Sequence, residues 1–129
     1  RGLNIYLNRD KLYVGGWNRP GKESGWSGTW LSTSKVSKNK WHHVDLVLEG
    51  GSQVSKGAIK GYLDGQKFGE GKGSQLWQHS GGIGLGSING GTRFHAGLTP
   101  QSGSSFDGAV DDVMIFKDAL SSSEIDALF

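Results

Sequence analysis

The 129-residue chain contains no cysteine, which excludes disulfides and thiolate metal sites and by itself decides nothing about compartment. Proline occurs only twice, and no proline-rich or low-complexity run is present. No apolar run approaches the ~20 residues that a membrane-spanning helix needs. Charge of one sign is also lacking: 14 Lys and Arg stand against 12 Asp and Glu, for a net charge of +2. Lys35, Lys38, Lys40, Lys56, Lys60, Lys67 and Lys72 are dispersed along the chain, so the basic cluster of a nucleic-acid binder is missing from the sequence. No nucleophile-elbow motif is present either, which removes one common route to hydrolysis.

Glycine is what the chain has in excess, 23 of 129 residues, against an average share of roughly 7%. Without proline or repeats, these glycines read as turn and bulge positions of an all-β domain spanning 1–129. Leu3 to Leu7 and Lys11 to Trp17 form a hairpin around Asn8-Arg9-Asp10. Asn18 to Gly28 is a loop. Thr29 to Thr33 is a short strand and Trp41 to Glu49 a longer one, with Trp41 packed in the fold. Ala58 to Leu63 pairs with Lys67 to Phe68 across Asp64-Gly65, the strongest hairpin signal present. Gly69 to Gly82 reads mostly as loop, Ile83 to Ile88 as a strand, and Asn89 to Ser105 as a long loop.

The last quarter, FDGAVDDVMIFKDALSSSEIDALF, is the most specified stretch. Val110 to Phe116 alternates with apolar residues on both faces, the pattern of a central strand covered on two sides. Ser121 with Glu124 predicts a capping box opening a short C-terminal helix. Ile125 and Leu128 supply a stripe to dock it on a sheet. Strands at 8–12-residue spacing with one terminal helical turn predict an antiparallel β-sandwich.

That stretch, together with WHHVDLVLEG (Trp41 to Gly50) and GYLDGQKFGEG (Gly61 to Gly71), resembles the laminin-G-like, concanavalin A-like jelly-roll domains, which are common in secreted bacterial proteins and related to pentraxins. The resemblance runs from about Leu3 onward. It implies further strands before Arg1, so that the chain is a fragment, a truncated piece or a compact variant. An edge left open by such strands invites pairing with a second copy or another chain. The resemblance also implies a secreted or cell-surface setting and a glycan ligand.

Glycosidases with this type of fold carry acids in an E-x-D-x-x-E strand pattern. No strand here has it, and Glu49, Glu70 and Glu124 stand apart, so the chain is read as non-catalytic. Asp107, Asp111 and Asp112 form an acidic stretch that suits a hard cation such as Ca²⁺. The resemblance implies that Asp111 holds a structural calcium. Against this, Asp107-Gly108 reads equally as a turn, with Asp111 or Asp112 paired to a lysine or an amide. His42 and His43 are adjacent on a strand and face opposite ways, so they cannot share a metal. His42 is expected to be a hydrogen-bonded core residue, and His43 shares a face with Asp45.

Tryptophans around polar, glycine-rich loops are the best functional signal, because sugar C–H faces stack on aromatic rings. Trp17, Trp26 and Trp77 are the candidate stacking residues, with Asn18, Arg93 and His95 contacting hydroxyls, sulfates or carboxylates. This reading is a lectin-like binding module for a polysaccharide or glycan, within a larger protein such as a polysaccharide-degrading enzyme. The rival reading is a protein-interaction or adhesion module that binds no sugar. A structural spacer is the third.

Overall fold

Two tight turns set the framework. The structure, a computed structural model, describes residues 2–18, 26, 28–78, 80–88, 94–95 and 104–129. Arg9 and Asp10, at φ 49° and 65°, join β1 (Gly2–Asn8) to β2 (Lys11–Trp17). Asp64 and Gly65, at φ 51° and 74°, join β5 (Ser55–Leu63) to β6 (Gln66–Gly73). Positive φ at both central residues is the primed turn geometry, whose twist matches that of the paired strands. Each hairpin then gains a third antiparallel strand. β3 (Thr29–Lys35) adds to β2, and β4 (Val44–Leu48) adds to β5, giving two three-stranded sheets in the orders β1-β2-β3 and β4-β5-β6.

Asp64 does more than turn the chain. Its Oδ1 accepts from the His43 amide at 3.0 Å, and its Oδ2 lies 2.8 Å from Nδ1 of His42. The other ring nitrogen of His42 lies 3.0 Å from both the hydroxyl and the carbonyl of Ser37. The expected hydrogen-bonded histidine is therefore present, partly buried, and it ties the approach to β4 onto the hairpin. Burial works against ionisation of Asp64, yet the His42 ring, the His43 amide and the Lys40 charge outweigh it and hold the carboxyl below its ordinary value.

The sheets meet along β3 and β6, with β2 over β5. Strand alternation sends Leu12 and Val14 of β2 and Ile59 of β5 inward, and all three are buried. Gly61 permits a close approach: a Cβ there would lie 2.5 Å from Cγ2 of Val14 and 2.6 Å from the Phe68 ring. On the far face of the second sheet, Val47 and Tyr62 pack with Ile125 of the terminal helix α1 (Ser122–Leu128), and Leu120 adds to the cluster. Ser121 and Glu124 form the expected capping box. The Tyr62 hydroxyl is 2.9 Å from the Ser122 hydroxyl, which holds the helix down. Ile125 is buried while Leu128 is exposed, so only half of the predicted stripe docks.

The all-β sandwich with its short helix is as the sequence predicts, but four local expectations are corrected. Residues 69–73 continue β6, because their glycines lie against Leu31 and Thr29 of β3 and leave no room for a loop to lift away. Residues 83–88 form no regular strand. They contribute one bridge, Ser87 to Ser105, and expose Ile83 and Leu85. Trp41 precedes β4 and is 68% exposed rather than packed. The alternating run Val110 to Phe116 is not a strand, and Ile115 is 74% exposed. Its paired aspartates interrupt it: Asp112 takes φ 50° and donates its amide to Oδ1 of Asp111 at 2.9 Å, a local contact at a left-handed residue that breaks an extended run.

Gly61→Ala is expected to destabilise the fold by about 1–3 kcal/mol through overpacking. Adding Val14→Ala should recover part of that loss, as the shared contact makes the two substitutions non-additive. Equilibrium denaturation of the two single variants and the pair checks both statements.

Candidate functional site

With Val14 turned inward, the alternate residues of β2, Lys11, Tyr13 and Trp17, face outward. The turn fixes the partner of each: Tyr6 lies opposite Tyr13, and Asn8 opposite Lys11. The rings of Tyr6 and Tyr13 run nearly parallel, 5.1 Å apart with 5° between planes. His95 arrives from far along the chain and lies over Tyr13, with ring centroids 4.0 Å apart and planes 2° apart. Phe94 tilts against Tyr6 at 4.6 Å. Beside this stack opens a cleft of about 570 Å³ lined by Asn8, Arg9, Lys11, Tyr13 and His95. That volume lies within the ordinary range of small-ligand sites.

Hydrogen bonds orient the histidine. The Tyr6 oxygen accepts from the His95 backbone amide at 2.9 Å and lies 2.5 Å from its Nδ1. The phenol can donate to Nδ1 while it accepts the amide, and in that arrangement the neutral ring carries its proton on Nε2 as an N–H donor. Burial, countered in part by the His95 amide and reinforced by neighbouring Tyr13, pushes Tyr6 up to about 12. The pair thus keeps the phenol neutral across the physiological range.

Among the described residues, His95 is the one of the tryptophan and polar residues singled out from the sequence that lines this cleft. Trp17 lies on the same outer face of β2, opposite Gly2. Asn18, Trp26 and Trp77 come together elsewhere. The Asn18 amide donates to the Trp26 carbonyl at 3.1 Å, its Nδ2 donates to the Gln75 carbonyl at 2.8 Å, and its Oδ1 accepts from the Trp77 amide at 3.4 Å. Asn18 is fully buried and Trp26 is 6% exposed, so the glycine-rich surroundings of Trp26 do not leave it on the surface. Trp77 is 37% exposed. Arg93 lies outside the described residues. Sequence reasoning missed Tyr6 and Tyr13. A two-residue turn at Arg9-Asp10 already sets them side by side, but nothing local announces that a loop histidine will cover them.

Asp107, Asp111 and Asp112 are all exposed. Among the described residues, no group of three or more His, Asp or Glu side chains gathers closely enough to hold an ion. The His43–Asp45 pair is half-buried. Its ring nitrogen and carboxylate are 3.5 Å apart, and the Phe129 ring at the end of α1 lies over His43 at 6.2 Å. Burial pushes the Asp45 carboxyl up, against the opposing pull of His43.

Because a phenol held above its unfolded value favours the folded state only while protonated, the contribution of Tyr6 should be complete below pH 10.0 and lost as pH rises towards about 12. An ultraviolet titration should show one tyrosine ionising late, and Tyr6→Phe should remove that step. A titration unchanged by the substitution would contradict the burial of this phenol.

Comparison with known proteins follows the geometry. The laminin-G model described as the concanavalin A-like lectin/glucanases superfamily matches residues 2–126. No curated protein matches the chain. A crystal structure of an S-layer domain-containing protein (residues 221–444) from Clostridium thermocellum is similar in fold, with a TM-score of 0.53 and 22% identity. The alignment covers 98% of this chain and 55% of that one. With two antiparallel three-stranded sheets and a family match over nearly its whole length, the chain belongs to the concanavalin A-like lectin/glucanase superfamily, as a laminin-G-like domain.

Proposed function

We propose that this domain is a non-catalytic glycan-binding module of a secreted or cell-surface protein, and that the cleft beside Tyr13 and His95 is its ligand site. The observation that carries the reading is the stacked Tyr6–Tyr13–His95 group beside an open, polar cleft. A pyranose offers a C–H face to an aromatic ring and hydroxyls to polar groups. Here the Asn8 amide, the Nε2–H of His95 and the cationic side chains of Arg9 and Lys11 supply those polar partners. Each aromatic contact adds about 0.5–1.5 kcal/mol beyond area burial, by analogy with aromatic pairs.

Two further points support it. Among the described residues, no carboxylate lines the cleft, whereas glycoside hydrolysis needs two acids flanking the bond. The superfamily joins lectins with glucanases, and the similar solved fold comes from an S-layer domain-containing protein, which fits an extracellular setting. This reading does not call on calcium.

A protein-interaction or adhesion module is the second reading. It is favoured by the exposed apolar run Val110, Val113, Met114, Ile115 and Phe116, the kind of surface that marks contact with another chain.

A thermal-shift screen against neutral and acidic oligosaccharides separates the two. A glycan at 100 times its dissociation constant should stabilise the domain by about 2.7 kcal/mol, a shift of several degrees. Tyr13→Ala and His95→Ala should each abolish the shift, while Trp77→Ala should retain it. A response lost in Trp77→Ala and kept in both cleft variants would move the site to the tryptophan cluster. No response to any glycan leaves the adhesion reading.

A further inference from the structure

The cations that are dispersed in sequence converge at one end of the first sheet. Lys11 and Lys35 sit opposite one another in the β2–β3 register. Arg9 occupies the adjoining turn and, with Lys11, lines the cleft. Lys38 lies nearby through its 2.8 Å ion pair with Asp10. The β3 end is fastened there, since the Val36 amide donates to the Asp10 carbonyl at 2.8 Å. Asp10 is the acidic member of the group. The hydrogen bond from Lys38, opposed by slight burial and aided by the charges of Lys38 and Lys35, holds its carboxyl below the usual range. Asp10 is therefore committed to Lys38, and Arg9, Lys11 and Lys35 form no ion pair with any described residue.

Like charges set opposite each other across a strand pair are unfavourable in the free protein. Lys11 and Lys35 persist in that arrangement beside a cleft with no acid among the described residues of its wall, next to an aromatic stack. An anion bound between them would relieve the repulsion. A guanidinium adds a planar donor pair that matches carboxylate and sulfate geometry. The aromatic wall argues for a ring bearing that anion rather than a bare ion.

We propose that the cleft selects acidic glycans, uronate-bearing or sulfated, with Arg9, Lys11 and Lys35 recognising the anionic substituent while Tyr13 and His95 hold the sugar ring. The proposal rests on the glycan-binding reading and names its ligand class. Lys11 sits at the mouth of the stack and Lys35 beyond it across the strand pair. The substituent is therefore placed towards the hairpin turn, and the ring towards Tyr13. Screening by salt follows from the exposure of these cations.

The test compares matched ligands that differ only in charge: oligogalacturonate with its methyl ester, and dextran sulfate with dextran. Binding is followed by calorimetry at low and at moderate salt. The acidic member of a pair should bind at least ten-fold more tightly at low salt, and the preference should shrink as salt rises. Lys11→Ala and Lys35→Ala should each weaken the acidic ligand by about ten-fold, the loss expected for a hydrogen bond to a charged group. Binding of the neutral partner should be unchanged in Lys35→Ala, because Lys35 lies outside the cleft lining. Both lysines are exposed, and an unaltered melting temperature confirms that the variants fold.

Equal binding of acidic and neutral partners overturns the acid selectivity and leaves the glycan reading standing. An acid preference that survives both lysine substitutions overturns the location. Failure of every glycan overturns the selectivity and the reading beneath it. Duplex DNA or phosphatidylserine vesicles binding as tightly as the acidic glycan would reduce the cluster to a general cationic patch, which also overturns the proposal.

Discussion

Val14 seated on the bare backbone of Gly61 is the contact on which the rest depends. Side chains alternate along a strand, so a residue turned inward commits its neighbours to the opposite face. Once Val14 and Leu12 enter the space between the sheets, Lys11, Tyr13 and Trp17 have to face out. The Arg9-Asp10 turn then sets Tyr6 against Tyr13 and Asn8 against Lys11. A one-residue slip would send the aromatics inward and expose the valine. The proposed site is thus the outer consequence of an inner packing choice. The glycines opposite β3 have the same effect on the other side of the interface, because Leu31 and Thr29 approach the backbone of β6 directly.

The two faces of the molecule are stabilised differently. The outer face of the second sheet is closed by α1, through Ile125, the Tyr62–Ser122 hydrogen bond and the Phe129 ring over His43. Among the described residues, no helix lies on the outer face of the first sheet. What lies on it is His95, held by two contacts to one tyrosine oxygen and by stacking, with Phe94 tilted against Tyr6. The cleft opens beside these rings.

Much of this framework was legible in the sequence, and the parts that were not share a physical cause. Asp64-Gly65 and Asn8-Arg9-Asp10 announced their hairpins because turn chemistry is local, and Ser121 with Glu124 announced the capping box for the same reason. His42 was legible as a hydrogen-bonded residue, though not its partners, which depend on where Asp64 and Ser37 come to lie. Val110 to Phe116 has the alternation of a covered strand, yet a strand exists only where a neighbour pairs with it. The adjacent aspartates there bond to each other, with Asp112 in the left-handed region. Trp26 is read by the polarity of its surroundings and Trp41 by its place in the motif WHHVDLVLEG, and neither says what packs on a large ring. The cleft was hidden because its members are close only in the folded chain. His95 reaches Tyr6 and Tyr13 across most of the sequence, and Lys35 meets Lys11 only through the β2–β3 register.

The most direct test of the proposed ligand cleft is an amide chemical-shift titration of the folded domain with an acidic oligosaccharide. The account predicts that the amides of Asn8 to Tyr13, Lys35 and His95 shift together and saturate on one binding curve, while those of Asn18 and Trp77 and of the α1 helix stay in place. Shifts centred on Trp77, or on the exposed run from Val110 to Phe116, with the hairpin turn silent, would contradict it.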